Sequence, residues 1–140
     1  MMIELNSALS GVRMKKMAIE EFLVSRGFET GGGWDYDHGY YDYVFRKKPH
    51  YDVLRIPVAV KNGEFDHPSA VLEIGKPLVL RHIYQTGIEE ERDAALGLGA
   101  GPFNQFQKPI EEDAEVDRQL VDSGMQMIDL LEQDYQKYLH

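Results

Sequence analysis

Apolar positions along this chain follow two rhythms, and the changes between them divide it into helices and strands. After Ser10, the residues Val12, Ile19 and Leu23 align at helical spacing, flanked by Ala18 and Phe22. Arg26 followed by Gly27 is a stop signal, so a first helix is predicted over Gly11 to Arg26. Lys15, Lys16, Glu20 and Glu21 form its solvated side. A short strand over Ile3 to Leu5 precedes it.

Beyond Gly27 the period falls to two. The triplet Gly31-Gly32-Gly33 leads into Trp34 and Tyr36, which alternate with Asp35 and Asp37 as in a half-buried strand. Asp37-His38-Gly39 supplies turn chemistry, and Tyr41, Tyr43 and Phe45 then line one side of a returning strand. Tyr40, Asp42 and Val44 line the other. From Tyr51 to Lys61, Leu54, Ile56, Val58 and Val60 make the core side. Val53, Arg55, Pro57 and Ala59 oppose them. Pro57, with no N–H, suits an edge or a bulge, and Asn62-Gly63 is a hairpin signal. The segment Ala70 to Tyr84 reads as one strand bent at Gly75 to Pro77, with Leu72, Ile74, Leu78 and Leu80 on one side. Glu73, Val79 and Arg81 fall on the other.

Periodicity then stops in a long loop over residues 85–110, with an acidic run at Glu89-Glu90-Glu91 and glycines at 97, 99 and 101. It returns in a long final helix. Val116, Leu120, Gly124, Met127, Ile128, Leu131, Tyr135 and Tyr138 share a stripe, and Glu111, Glu112, Asp113 and Glu115 suit its positive N-terminal end. Such a helix must cover a broad apolar surface. The expected fold is therefore α+β, one domain over 1–140. A curved four- to five-stranded antiparallel sheet packs against the C-terminal helix in β-α-β(4)-α order, as in helix-grip and TBP-like architectures.

Charge and composition narrow the partners. Net charge is −9, with 24 acidic against 15 basic residues, a field that repels phosphate backbones and anionic lipid. Neither nucleic acid nor membrane is expected as a partner. No apolar stretch nears the ~20 residues that span a bilayer. The chain has no cysteine, which excludes disulfides, thiolate metal sites and thiol nucleophiles and fits a reducing compartment. With no signal-like start, the cytoplasm is the expected location.

Candidate chemistry is sparse. His38, His50, His67 and His82 stand near strand ends without HxH or HExxH spacing, and no metal or cofactor is expected. A metal-assisted hydrolase would need several of them to converge. The glycines at 97–101 lack the strand, helix and parallel context of a phosphate loop. No serine sits in a nucleophile elbow. A ligand site, if present, is expected among Trp34, Tyr36, Tyr41, Tyr43 and Arg55, in a cleft between the sheet and the final helix. Arg55 and Glu73 are expected on the outer side of the sheet, able to pair across strands. Val121, Met125 and Leu130 widen the apolar surface of the final helix, through a wide core face or a subunit contact.

The block Gly32-Gly33-Trp34-Asp35-Tyr36, the tyrosine-rich strand after it and Tyr51-Asp52-Val53-Leu54-Arg55 resemble the YugN-like family of Bacillus-type bacteria. The similarity runs from the first helix to the strand ending near Tyr84. It implies a stand-alone cytoplasmic domain and brings no catalytic residues. The expectation is a binding module rather than an enzyme, homodimeric, with a small molecule as the alternative partner.

Overall fold

A computed structural model describes residues 2–31, 35, 37–64, 66–83 and 109–139, with the side chains of the last helix from 118 to 137. The expected strand through Trp34 and Tyr36, and the loop up to residue 108, lie outside the described residues.

The fold is α+β, with an open antiparallel sheet and a C-terminal helix, as the pattern predicts. Its strands are β1 (Met2–Glu4), β2 (Arg13–Lys15), β3 (Glu29–Thr30), β4 (His38–Arg46), β5 (His50–Asn62), β6 (Val71–Ile74) and β7 (Leu78–Ile83). Its helices are α1 (Lys16–Val24) and α2 (Pro109–Leu139). Among the described residues the sheet has seven strands rather than four or five, because β2 and β3 are too short to display a period and the one strand expected from Ala70 onward is two, β6 and β7.

β5 is the organising strand. β4 pairs along one side of it, while β7 and then β6 pair along the other. The order β1-β7-β5-β4-β3 runs across the sheet, with β2 added outside β6. Pro57 lies in this central strand, not at an edge. It falls where β5 changes partner from β7 to β6, and its carbonyl accepts the Gly75 N–H at 2.8 Å. Backbone groups of one residue point to the same side in an antiparallel strand, so the missing Pro57 N–H faces the break at 75–77, where no ladder bond is lost.

The break at Gly75 to Pro77 is where the pattern predicts it, but it reverses the faces. Ile74 and Val79 are both buried against the helices, whereas Leu78 and Leu80 lie beside Arg55 and Val53 on the opposite face. An odd number of inserted residues inverts inside and outside along a strand. Val79 and Arg81 thus point into the core, contrary to the simple alternation.

The first helix is shorter than predicted. Residues 13–15 pair with β6 instead, and Val12 and Met14 alternate inward while Arg13 and Lys15 stay exposed. The predicted stop holds. Gly27, at φ 96°, donates to Val24 O at 3.0 Å, and Phe28 donates to Leu23 O at 3.1 Å, the paired bonds of a Schellman motif.

Both described helices cover the same face. Ile19, Phe22 and Leu23 of α1 and Leu120, Ile128 and Leu131 of α2 join Tyr41, Leu54, Ile56, Leu72, Ile74 and Val79 in one core. Gly124 marks the closest approach. A Cβ there would meet Val79 Cγ1 at 2.5 Å and Leu5 Cδ1 at 2.9 Å. Val121 and Met125 pack against the core, so they form a wide core face, while Leu130 stays 55% exposed. Polar contacts tie the helices down at the rim: Arg26 Nε donates to Asp134 at 2.7 Å, and Ser7 Oγ to Glu132 at 2.9 Å.

Candidate functional site

The alternation of β4 and β5 separates the predicted site residues. Tyr41 is 0% exposed beneath the helices, where burial and the Glu20 carboxylate push its hydroxyl above the usual tyrosine range. Tyr43 is half-buried on the same face, its ring 5.5 Å from that of Phe28 and 5.2 Å from that of Phe45. Arg55 lies on the opposite face. Trp34 and Tyr36 lie outside the described residues. The three described candidates therefore do not share a site, and Gly124 closes the sheet–helix interface where it lies against Val79 and Leu5.

On the face away from the helices, Arg55 is held twice. Its Nε and Nη2 donate to the two Asp42 oxygens at 2.9 and 3.0 Å, and its guanidinium stacks 3.7 Å from the Tyr40 ring centroid. Hydrogen bonding to Asp42 holds the Arg55 pKa above its ordinary value. Asp42, not Glu73, is thus its partner. Glu73 instead meets Lys61 at 3.2 Å and Arg13 at 3.5 Å.

Strand pairing builds two rows across this face. Met2, Leu80, Val53 and Val44 are successive partners through β1, β7, β5 and β4. Next to them run Glu4, Leu78, Arg55, Asp42 and Glu29. An apolar band thus borders a row holding both signs of charge. Neither described helix lies over it, although Val53 itself is 0% exposed.

The core face has its own charges at the β5 start. Arg81 Nε and Nη2 donate to Asp52 at 2.8 and 3.0 Å, with side-chain exposures of 4% and 6%. His50 Nε2 approaches Asp52 at 3.6 Å, too long for a hydrogen bond. His38 and His67 stay local: His38 bonds Asp37 at 2.6 Å, and His67 bonds Ser69 at 2.6 Å. Among the described residues no three His, Asp or Glu side chains are grouped to hold a metal ion. Nor is any described helix long and apolar enough to cross a membrane.

Two open depressions mark the described surface. One of about 610 Å³ is lined by Asp37 and residues 60–64 and 66, among them Lys61 and Glu64. The other, of about 360 Å³, lies between Gly27 and Glu29 on one side and residues 43–47 on the other.

Comparison with known proteins agrees with this architecture. The profile of the YugN-like family matches residues 4–135. The chain belongs to the YugN-like family. It is 35% identical over 131 residues to YugN of Bacillus subtilis (strain 168), an uncharacterized protein, covering 94% of this chain and 96% of that one. It is 30% identical over 83 residues to the uncharacterized YlbA of the same organism, covering 59% and 69%. The crystal structure of YugN from Geobacillus kaustophilus HTA426 superimposes with a TM-score of 0.55 at 22% identity, over 59% of this chain and 72% of that one, which supports the fold. The YugN-like match reaches past Tyr84 into α2, further than the aromatic motif alone suggests.

Sequence reasoning missed Asp42 as the partner of Arg55 and Arg81 as a core residue. The first needs the β4–β5 register, which pairs residues 42 and 55 directly. A Tyr-x-Asp alternation opposite an arginine was the available signal. The second was hidden by the inversion at 75–77.

Proposed function

We propose that this domain is a non-enzymatic interaction module of the bacterial cytoplasm that works as a homodimer, two copies meeting through the sheet face that neither described helix covers. The apolar row Met2–Leu80–Val53–Val44 carries the reading. Its length across four strands suits a flat contact, and an apolar centre beside a polar rim is how protein interfaces are built. Arg55 and Tyr40 belong to the residue types that dominate binding energy. Asp42 fixes Arg55 beforehand, so contact costs it little freedom. A two-fold axis on this face can bring Arg55 of one copy toward Glu4 or Glu29 of the other. Catalysis is left out because two of the four strand-end histidines bond to their own sequence neighbours, His38 to Asp37 and His67 to Ser69, and no metal-holding group forms among the described residues.

Light scattering at micromolar concentration tests this. The expected mass is twice the 16.1 kDa of the chain, and Leu80→Arg returns it to the single-chain value with the fold retained. A wild-type mass of one chain contradicts the homodimer.

A further inference from the structure

The edge of β4 beyond β3 offers a second surface, which meets the dimer row at Val44. β3 pairs only with Tyr41 and Asp42, and Gly31 adds one bond to Tyr40 O at 2.9 Å. Tyr40 thus turns its backbone groups away from β5, and by alternation so does Val44. No described strand meets Val44 on that side. The 360 Å³ depression lies against this stretch, lined by Gly27, Tyr43, Val44 and Phe45. Gly27 keeps it open beside Tyr43, since a Cβ there would come within 3.0 Å of the tyrosine ring.

Charge at this edge departs from the rest of the chain. Arg46, Lys47 and Lys48 are consecutive and exposed, and none forms an ion pair among the described residues. They stand together in a protein of net charge −9. Cations on an edge strand guard it against pairing with another copy. Antiparallel pairing of two β4 edges would bring both trios close to one axis, within about a Debye length of 8–10 Å. The same charges attract a strand of opposite sign.

We propose that the open edge of β4 binds an extended acidic peptide of another protein by strand addition. Backbone bonds to Val44 would supply affinity, the Tyr43–Phe45 depression would take an aliphatic side chain, and Arg46, Lys47 and Lys48 would read the acidic ones. The two surfaces meet at Val44, whose side chain lies in the dimer row while its backbone faces the open edge. The cations lie outside that row, so their loss tests the edge without the dimer.

The test is fluorescence anisotropy with a fluorescein-labelled peptide of alternating Glu and Val, alongside a Lys-Val counterpart and a ten-nucleotide oligothymidine. The wild-type protein should bind the Glu-Val peptide, more weakly as salt rises, and bind neither control. Val44→Pro removes the outward N–H without touching a β5 bond and should weaken binding at least tenfold. Arg46→Glu with Lys47→Glu should do the same, both variants keeping the wild-type thermal midpoint and the charge variant also the wild-type mass. No binding of the Glu-Val peptide at millimolar concentration overturns the proposal. Full binding by Val44→Pro also overturns it, since attraction would then be charge alone. Tighter binding of the oligonucleotide assigns the cations to another ligand and overturns it too.

Discussion

Tyr40 and Tyr41 are adjacent in β4, yet they serve opposite sides of the sheet. Tyr41 is sealed under α1 and α2, in a core that also holds Leu54 and Ile56. Tyr40 carries the Arg55 guanidinium on the face that neither described helix covers. Each face holds one bidentate Arg–Asp pair, but they differ in solvent: Arg81 and Asp52 are 4% and 6% exposed, Arg55 and Asp42 27% and 9%. The same two side-chain types therefore act differently. In the core, the two fork bonds are shielded from water. On the face that neither described helix covers, the pair is partly wet, and Asp42 and Tyr40 hold the guanidinium in place.

The largest effect should come from breaking the buried pair. Asp52→Ala leaves Arg81 buried without its carboxylate and should lose about 3–5 kcal/mol in urea unfolding. A loss below about 1 kcal/mol would mean that the two faces are equally wet. Overpacking comes next. Gly124→Ala places a methyl against Val79 and Leu5 and should cost about 1–3 kcal/mol, or displace α2. An unchanged midpoint would show that α2 rides loosely on the sheet.

Arg55→Ala should cost less, about 1–2 kcal/mol, because water partly replaces what Asp42 loses. Arg55→Lys should recover only part of it, since an ammonium cannot form the fork. If Arg55→Ala costs as much as Asp52→Ala, the contrast between the faces fails. The smallest effect is one of pH. Hydrogen bonding to Lys61, with Arg13 nearby, holds Glu73 below the ordinary glutamate range. Its contribution is therefore present at neutral pH and lost as pH falls through that lowered value. The gap in midpoint between wild type and Glu73→Gln should close on acidification, and a gap that widens would reverse the assignment.

How much was legible followed the length of each signal. The stripe of α2 spans many turns, and every predicted member with a described side chain, from Leu120 to Tyr135, is buried or half-buried. β5 alternates long enough to identify Leu54, Ile56 and Val58 as core. Gly27 was readable because a left-handed residue after a helix needs glycine. Short elements were not. Residues 13–15 are too few to show a strand period, and Val12 fitted the helical spacing equally well. The Asn62-Gly63 signal gave no tight hairpin: β6 starts only at Val71, and His67 bonds Ser69 locally between them. The apolar row on the face that neither described helix covers was invisible because its members come from four strands. Only their register makes them neighbours.

The sheet face that neither described helix covers is proposed to meet its own copy. The chain has no cysteine, so a single spin label can be placed at His82→Cys, exposed on that face, or at Leu130→Cys, exposed on α2. Electron–electron dipolar distances between subunits should be clearly shorter for the label at position 82 than at 130. The reverse order, or no distance between subunits at either position, would contradict the account.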